Sequence, residues 1–450
     1  MPRSILLIST MVVLAALGCG GRANVASAAA SNGVTGSGTP LDVGVNGTST
    51  GASGPAVTGS SDRSDLRESA EAGTTVQSTT CAPGYGASWG FASTDTAFSA
   101  VAVDAQGNVA YGGGQAAETI SRDAKGTMRW RTPIGTSAIA PAGDGGFFVG
   151  GSMASDGGTT PFVSRLNSQG GTTWSQALSA NNGSPSYLGF DGSGRVWALG
   201  FGLEPITYPN EPTHGHSWLA LLGRDGGVLW QQQFGDAGSF IVPTGLALTN
   251  DGHAVIALRV NQGSLSIADP QTGPIANHAL VTAFNADGTR AWSRGIGQVQ
   301  EDNINALVAA PDGNLYAAGS TVRSVLGSVT TVDLFLVELA EDGTVRWRQT
   351  YLQGGDGEDP ILAARPCGGL VIAAGTHNGG TSGTLLIDVD GAGQQRRIRN
   401  VSNGYVYPGA IAAHGSDGIL LVGQFREDFT FDSVQLSGTQ GSAFVARYLE

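Results

Sequence analysis

Pro311-Asp-Gly-Asn-Leu-Tyr-Ala-Ala-Gly319, followed by Phe335-Leu-Val-Glu-Leu339, Gly343 and Trp347, is the stretch that decides the fold. An apolar run broken at an Asp-Gly pair reads as two short strands joined by a tight turn, because Gly accepts the positive φ that such turns need. The second half has the same form. An apolar alternating strand leads to a Gly turn, and a Trp follows four residues after the Gly. Together they make two hairpins, or four short antiparallel strands.

The unit recurs, and self-similarity outranks local propensity. The first hairpin returns in residues 100–112, 144–150, 191–200, 250–258, 367–375 and 416–423. The second returns as Phe162–Leu166 with Gly170 and Trp174, Leu219–Leu222 with Gly226 and Trp230, and Leu280–Phe284 with Gly288 and Trp292. A weaker copy ends at Gly126 and Trp130. In the sixth copy Leu385–Val389 leads to Gly393, and Arg397 stands where Trp is expected. Four strands per roughly 50 residues is the size of a propeller blade. The seventh copy stops at its third strand, Ala443–Leu449, while an unclaimed Trp strand, Gly86-Ala-Ser-Trp89-Gly-Phe-Ala92, lies at the other end. The expectation is an all-β, seven-bladed β-propeller over residues 81–450, its last blade completed by the N-terminal strand, which removes an exposed edge. Uneven Trp spacing puts variable length between second and third strands, so loops 201–217 and 260–278 are expected to be exposed.

Composition agrees with a Gly-rich β protein. The 450 residues include 71 Gly, about twice the usual ~7% share. The net charge of −13 argues against broad nucleic-acid binding, which needs clustered positive charge.

The N-terminus reads as an address. Arg3 precedes an apolar stretch from Ile5 to Leu17, too short to span a bilayer comfortably and suited to a signal peptide. Ala16-Leu17-Gly18-Cys19 resembles the bacterial lipoprotein box, which implies a signal peptide over 1–18 and lipidation of Cys19; Gly20 after the Cys favours the outer membrane. The other reading is an ordinary secretory signal cut near Ala28–Ala30. Residues 20–80, rich in Gly, Ser, Ala and Thr and without Phe, Trp or Tyr, read as a flexible tether. The blade pattern itself resembles the bacterial propeller repeat known as the SBBP repeat. Its final copy, residues 422–438 and 443–447, is similar to versions in myxobacterial lipoproteins. The resemblance covers 81–450 and implies the fold and an envelope location. It implies little about activity.

Several residues carry possible chemistry. With Cys19 lipidated, Cys81 and Cys367 are an even pair in an oxidising compartment and are expected to form a disulfide that pins the closing strand; two free thiols is the alternative. Trp89, Trp130, Trp174, Trp230, Trp292 and Trp347 recur at one blade position, which reads as packing between blades rather than a ligand platform or a quinone cofactor site. Gly86-Ala-Ser88-Trp-Gly90 matches the letters of a hydrolase nucleophile elbow, but in a β-strand it lacks the strand–turn–helix that motif needs. His214 with His216, and Asp388 with Asp390, read as solvated loop residues more readily than as metal ligands. Asp95, Asp236, Glu301, Asp302, Asp356, Glu358 and Asp359 precede the first strands of several blades. Carboxylates converging at the channel mouth there could hold Ca²⁺ or receive a cationic partner; the plainer reading is solvated loop charge.

The function expected from these features is a membrane-anchored envelope propeller that binds or scaffolds a protein or glycan partner, without catalysis. The alternatives are a periplasm-facing outer-membrane assembly scaffold, and a lyase or glycan hydrolase with acidic groups at the channel mouth.

Overall fold

The computed structural model describes residues 84–449 except 86, 95–96, 114–117, 156–157, 180–182, 204–213, 236–237, 263–278, 297–301, 327–328, 356–357, 379–380, 404, 417, 432 and 439–440. The expected signal peptide, Cys19 and the tether lie outside the described residues. Within them the chain is all-β, without a helix.

Strand β1 is Trp89–Ser93. A first antiparallel meander holds β2 (Ala100–Val103), β3 (Val109–Gly112), β4 (Thr119–Arg122) and β5 (Met128–Thr132). A second holds β6 (Ala138–Pro141), β7 (Phe147–Ser155), β8 (Gly158–Leu166) and β9 (Thr172–Ala177). Then come β10 (Gly183–Phe190), β11 (Val196–Leu203), β12 (Gly215–Leu222) and β13 (Val228–Phe234), followed by β14 (Phe240–Leu248), β15 (Ala254–Gln262), β16 (Ala279–Phe284) and β17 (Arg290–Gly295). These two meanders share one sheet through a single parallel bridge, Gly215 to Phe240. The next comprises β18 (Asp302–Ala309), β19 (Leu315–Leu326), β20 (Val329–Leu339) and β21 (Val345–Gly355), and after it β22 (Glu358–Ala364), β23 (Leu370–Asn378), β24 (Thr381–Val389) and β25 (Gln395–Asn403). The last sheet has β26 (Val406–Ala413), β27 (Gly418–Phe425) and, beyond a small hairpin of β28 (Phe429–Phe431) and β29 (Val434–Leu436), β30 (Ser442–Leu449). Its fourth strand is β1, antiparallel to β30 with Trp89 opposite Arg447.

The core lies between successive sheets rather than within any one. Trp197, Leu219, Ile256 and Leu280 pack the β10 and β14 meanders together, and Val255, Val281, Phe335 and Val337 pack the β14 and β18 meanders. The last sheet meets the first through Leu420, Val422, Val445, Phe98 and Tyr111. The first strands touch in sequence, β2 with β6 and onward, and β26 touches β2. This is a β-propeller-like architecture.

The repeat's glycines have specific steric reasons. A Cβ on Gly319 in β19 would lie 2.1 Å from the Asn303 carbonyl oxygen, so two backbones meet where only hydrogen fits. Gly343 has φ +80, and a Cβ there would sit 2.6 Å from the Trp292 ring. The two expected long loops are shorter than the sequence suggested. Strand β11 continues to Leu203 and β12 begins at Gly215; β15 reaches Gln262 and β16 begins at Ala279.

Candidate functional site

Antiparallel alternation places the starts of the first strands and the links between second and third strands at one end of the sheets. The tight Asp-Gly turns lie at the other. Asp302 opens β18 and Glu358 opens β22, so both stand at the first end, with Asp359.

Asp359 is the most unusual of them. Its φ is 46, and it is the only described residue other than Gly with positive φ. Such a conformation costs on the order of 1–3 kcal/mol and persists only where the surroundings enforce it. Pro360 follows and restricts Asp359 further. Here β22 departs from regular pairing between Glu358 and Ile361. The Nδ2 of Asn305 donates to Asp359 Oδ1 at 2.8 Å, tying β18 to β22. Asn305 stands at a matching irregularity in β18, between Ile304 and Ala306. Its Oδ1 is buried and has no hydrogen-bond partner. Sequence reading passed over Asn305, which is one more polar residue in a strand until the bulge turns it out of the pleat.

Asp302 has a different environment from the solvated mouth expected of it. It is 1% exposed. Arg348 donates from Nη1 to its Oδ2 at 2.9 Å and from Nη2 to its Oδ1 at 3.2 Å. The Thr321 hydroxyl also donates to Oδ1. The guanidinium lies 3.7 Å from the Phe335 ring centroid. Its carboxylate is therefore occupied as the acceptor of a buried, bidentate pair, which correct geometry makes strong. Of the other acidic candidates, Asp95, Asp236, Glu301 and Asp356 lie outside the described residues, as does the side chain of Glu358.

The six tryptophans each meet the Gly turn of the following meander. Trp89 faces Gly126, Trp130 faces Gly170, Trp174 faces Gly226, Trp230 faces Gly288, Trp292 faces Gly343 and Trp347 faces Gly393. Several also donate from Nε1 to a carbonyl of that turn: Trp174 to Arg224 at 3.1 Å, Trp230 to Ala286 at 2.8 Å and Trp292 to Glu341 at 2.7 Å. Arg397 is exposed and makes no such contact in the sixth copy. The β28–β29 hairpin instead reaches both β25 and β1, burying Phe429, Phe431 and Leu436.

The remaining candidates are placed as follows. Cys367 is disulfide-bonded; Cys81, its expected partner, lies outside the described residues. In the Gly86–Gly90 segment, Gly86 is outside the described residues and Ser88 precedes strand β1. His216 is buried within β12 opposite Gly202, which corrects its reading as a loop residue. Asp388 is ion-paired with Arg365 and Arg399. Asp390 Oδ1 accepts the N–H groups of Ala392 and Gln394 in a turn. Among the described residues no three His, Cys, Asp or Glu are grouped to hold a metal ion.

No family model matches the chain. A curated relative, the regulatory protein FlaEY of Caulobacter vibrioides, is 25% identical over 307 residues, which are 62% of this chain and 31% of that protein's length. Among solved structures, a streptogramin B lyase is similar over 81% of this chain and 98% of its own, at 12% identity and a TM-score of 0.48. A puromycin hydrolase is similar over 78% of this chain and 55% of its own, at 15% identity and a TM-score of 0.47. The similar solved structures are by name a lyase and a hydrolase, which corrects the expectation of a module without catalysis. At these identities and TM-scores they assign no activity to this chain, and a propeller-like fold by itself does not exclude chemistry.

Proposed function

We propose that this chain is an enzyme of the lyase kind, with Asp359 as its general base. The observation that carries this is the strained backbone of Asp359 together with the hydrogen bond that Asn305 gives its carboxylate. Strain of this sort clusters where function needs a group held in one place. A glycan hydrolase would need two working carboxylates flanking the bond. Among the described residues the other candidate carboxylate at this end, Asp302, is occupied by Arg348, which favours chemistry that Asp359 can perform alone.

Elimination is such chemistry. Asp359 takes a proton from carbon. The electron pair forms a carbon–carbon double bond as the bond from the neighbouring carbon to the leaving oxygen breaks, and that oxygen is protonated by water. Asn305 directs the carboxylate by donating to Oδ1 and leaves Oδ2 for the proton.

The same reading includes a closed, seven-bladed propeller, supported by the pairing of β1 with β30 and the packing of β26 on β2. It also includes the lipid-anchored envelope location that the N-terminal sequence suggests, which would bring extracellular or periplasmic glycans within reach.

The test is turnover by the purified chain on uronate polysaccharides and streptogramin B, followed by absorbance of a new conjugated double bond and by mass. The expected result is elimination of at least one substrate, reduced about 100-fold or more in Asp359→Asn. Absence of turnover across the panel, or equal turnover by the variant, would overturn the reading.

A further inference from the structure

The first hairpin ends in Gly in the third, fifth and seventh copies, at Gly200, Gly319 and Gly423. The fourth copy breaks the pattern with Leu258 and then Arg259. Arg259 lies in β15, opposite Val242 of β14 and Ala279 of β16, at the same end of the sheets as Asp359. Its Nε is buried and has no hydrogen-bond partner, while the residue as a whole is only partly buried. Arg399 has the same unpartnered Nε but donates from its other nitrogens, and Arg122, Arg348 and Arg447 likewise donate to protein acceptors.

A second unpartnered group lies on the adjoining strand, two residues along from the partner of Arg259. Thr244 occupies the irregularity in β14 between Pro243 and Gly245, the counterpart of Asn305 in β18. It is 6% exposed, and its hydroxyl has no hydrogen-bond partner. Leaving a buried donor unsatisfied costs about 1–3 kcal/mol, and more beside a charge. Two such groups on adjoining strands, one of them cationic, define a place for an acceptor that the protein itself does not supply.

We propose that Arg259, assisted by Thr244, binds a carboxylate of the substrate. One guanidinium supplies one positive charge and a planar fork of donors. That matches a monoanionic, planar carboxylate better than a dianionic phosphate. Burial pushes the Tyr187 phenol on β10 up to about 12, and the charge of Arg259 opposes that rise. The inference rests on the lyase reading and deepens it. A carboxylate neutralised by Arg259 has a more acidic C–H beside it, the kind of proton that a lyase removes. The substrate class is then an acid such as a uronate, with the leaving oxygen on the carbon next to the one that loses its proton.

The test is calorimetric titration of the purified full chain with galacturonate as the carboxylate probe and galactose as the neutral control. The expected result is saturable galacturonate binding and none of galactose. Arg259→Gln is expected to weaken galacturonate at least about tenfold, and Arg259→Lys less, because lysine keeps the charge without the fork. Asp359→Asn is expected to retain binding, so a failure of the lyase reading and a failure of the carboxylate site give different results. Thermal unfolding of each variant verifies the fold. Undiminished binding by a folded Arg259→Gln, or no saturable galacturonate binding by the wild-type chain, would overturn the proposal.

Discussion

Arg447 donates its Nε–H to His414 Nδ1 at 2.8 Å, and both side chains are fully buried. The other ring nitrogen of His414 meets the Gly107 carbonyl at 2.8 Å, and Arg447 Nη1 donates to the Ala87 carbonyl at 3.2 Å. One buried guanidinium thus joins the C-terminal strand to the segment before β1, and the imidazole carries the link to the first meander. His414→Ala would leave a buried charge short of an acceptor. We expect a loss of about 3 kcal/mol in urea unfolding with an unchanged slope, since breaking one side of such an arrangement exposes its desolvation cost.

Trp292 and Gly343 give a steric test of packing between sheets. Gly343→Ala places a methyl group 2.6 Å from the indole at φ +80. The expected loss is about 2 kcal/mol, read as a lower midpoint of denaturation. The same substitution at Gly441, which also has positive φ but nothing within 4 Å, should cost less.

Two turn aspartates make stability depend on acid. Asp287 is held below the usual carboxylate range first by the Thr289 hydroxyl and then by the Thr289 N–H; Asp342 is lowered first by the Thr344 N–H. A depressed folded pKa contributes stability that is present above the unfolded value, about 3.9, and is lost as pH falls through the folded value. Unfolding midpoints should therefore drop below about pH 4. Asp287→Asn together with Asp342→Asn should flatten that slope, and an unaltered slope would assign it to other groups.

The disulfide at Cys367 has a defined consequence. Peptide mapping without reduction is expected to recover Cys367 linked to Cys81. Cys367→Ser should lower stability by about 2–5 kcal/mol, and reductant should then have no further effect. Recovery of a Cys19–Cys367 peptide would contradict both the pairing and the lipidation of Cys19.

The repeat was legible because its spacing is local. A Gly turn and a Trp four residues later mark each second hairpin, and Trp230 against Gly288 is the spatial form of that pattern. What was not legible depends on residues far apart in the chain. Nothing in the sequence joins Arg348 to Asp302, and that pair removes Asp302 from the acidic mouth. Asn305 and Asp359 meet only because two first strands lie side by side. Arg259 did leave a local trace, as the residue after Leu258 where other copies carry Gly. That trace becomes informative once the guanidinium is found without a partner.

The most direct test of the central claim is Asp359→Gly, measured for unfolding and for elimination side by side. Gly adopts φ 46 without strain, which offsets the lost hydrogen bond from Asn305. The expected stability is therefore within about 1 kcal/mol of the wild-type chain, or above it, with elimination abolished. An Asp359→Gly variant that still turns over substrate at the wild-type rate would contradict the assignment of Asp359 as the working base.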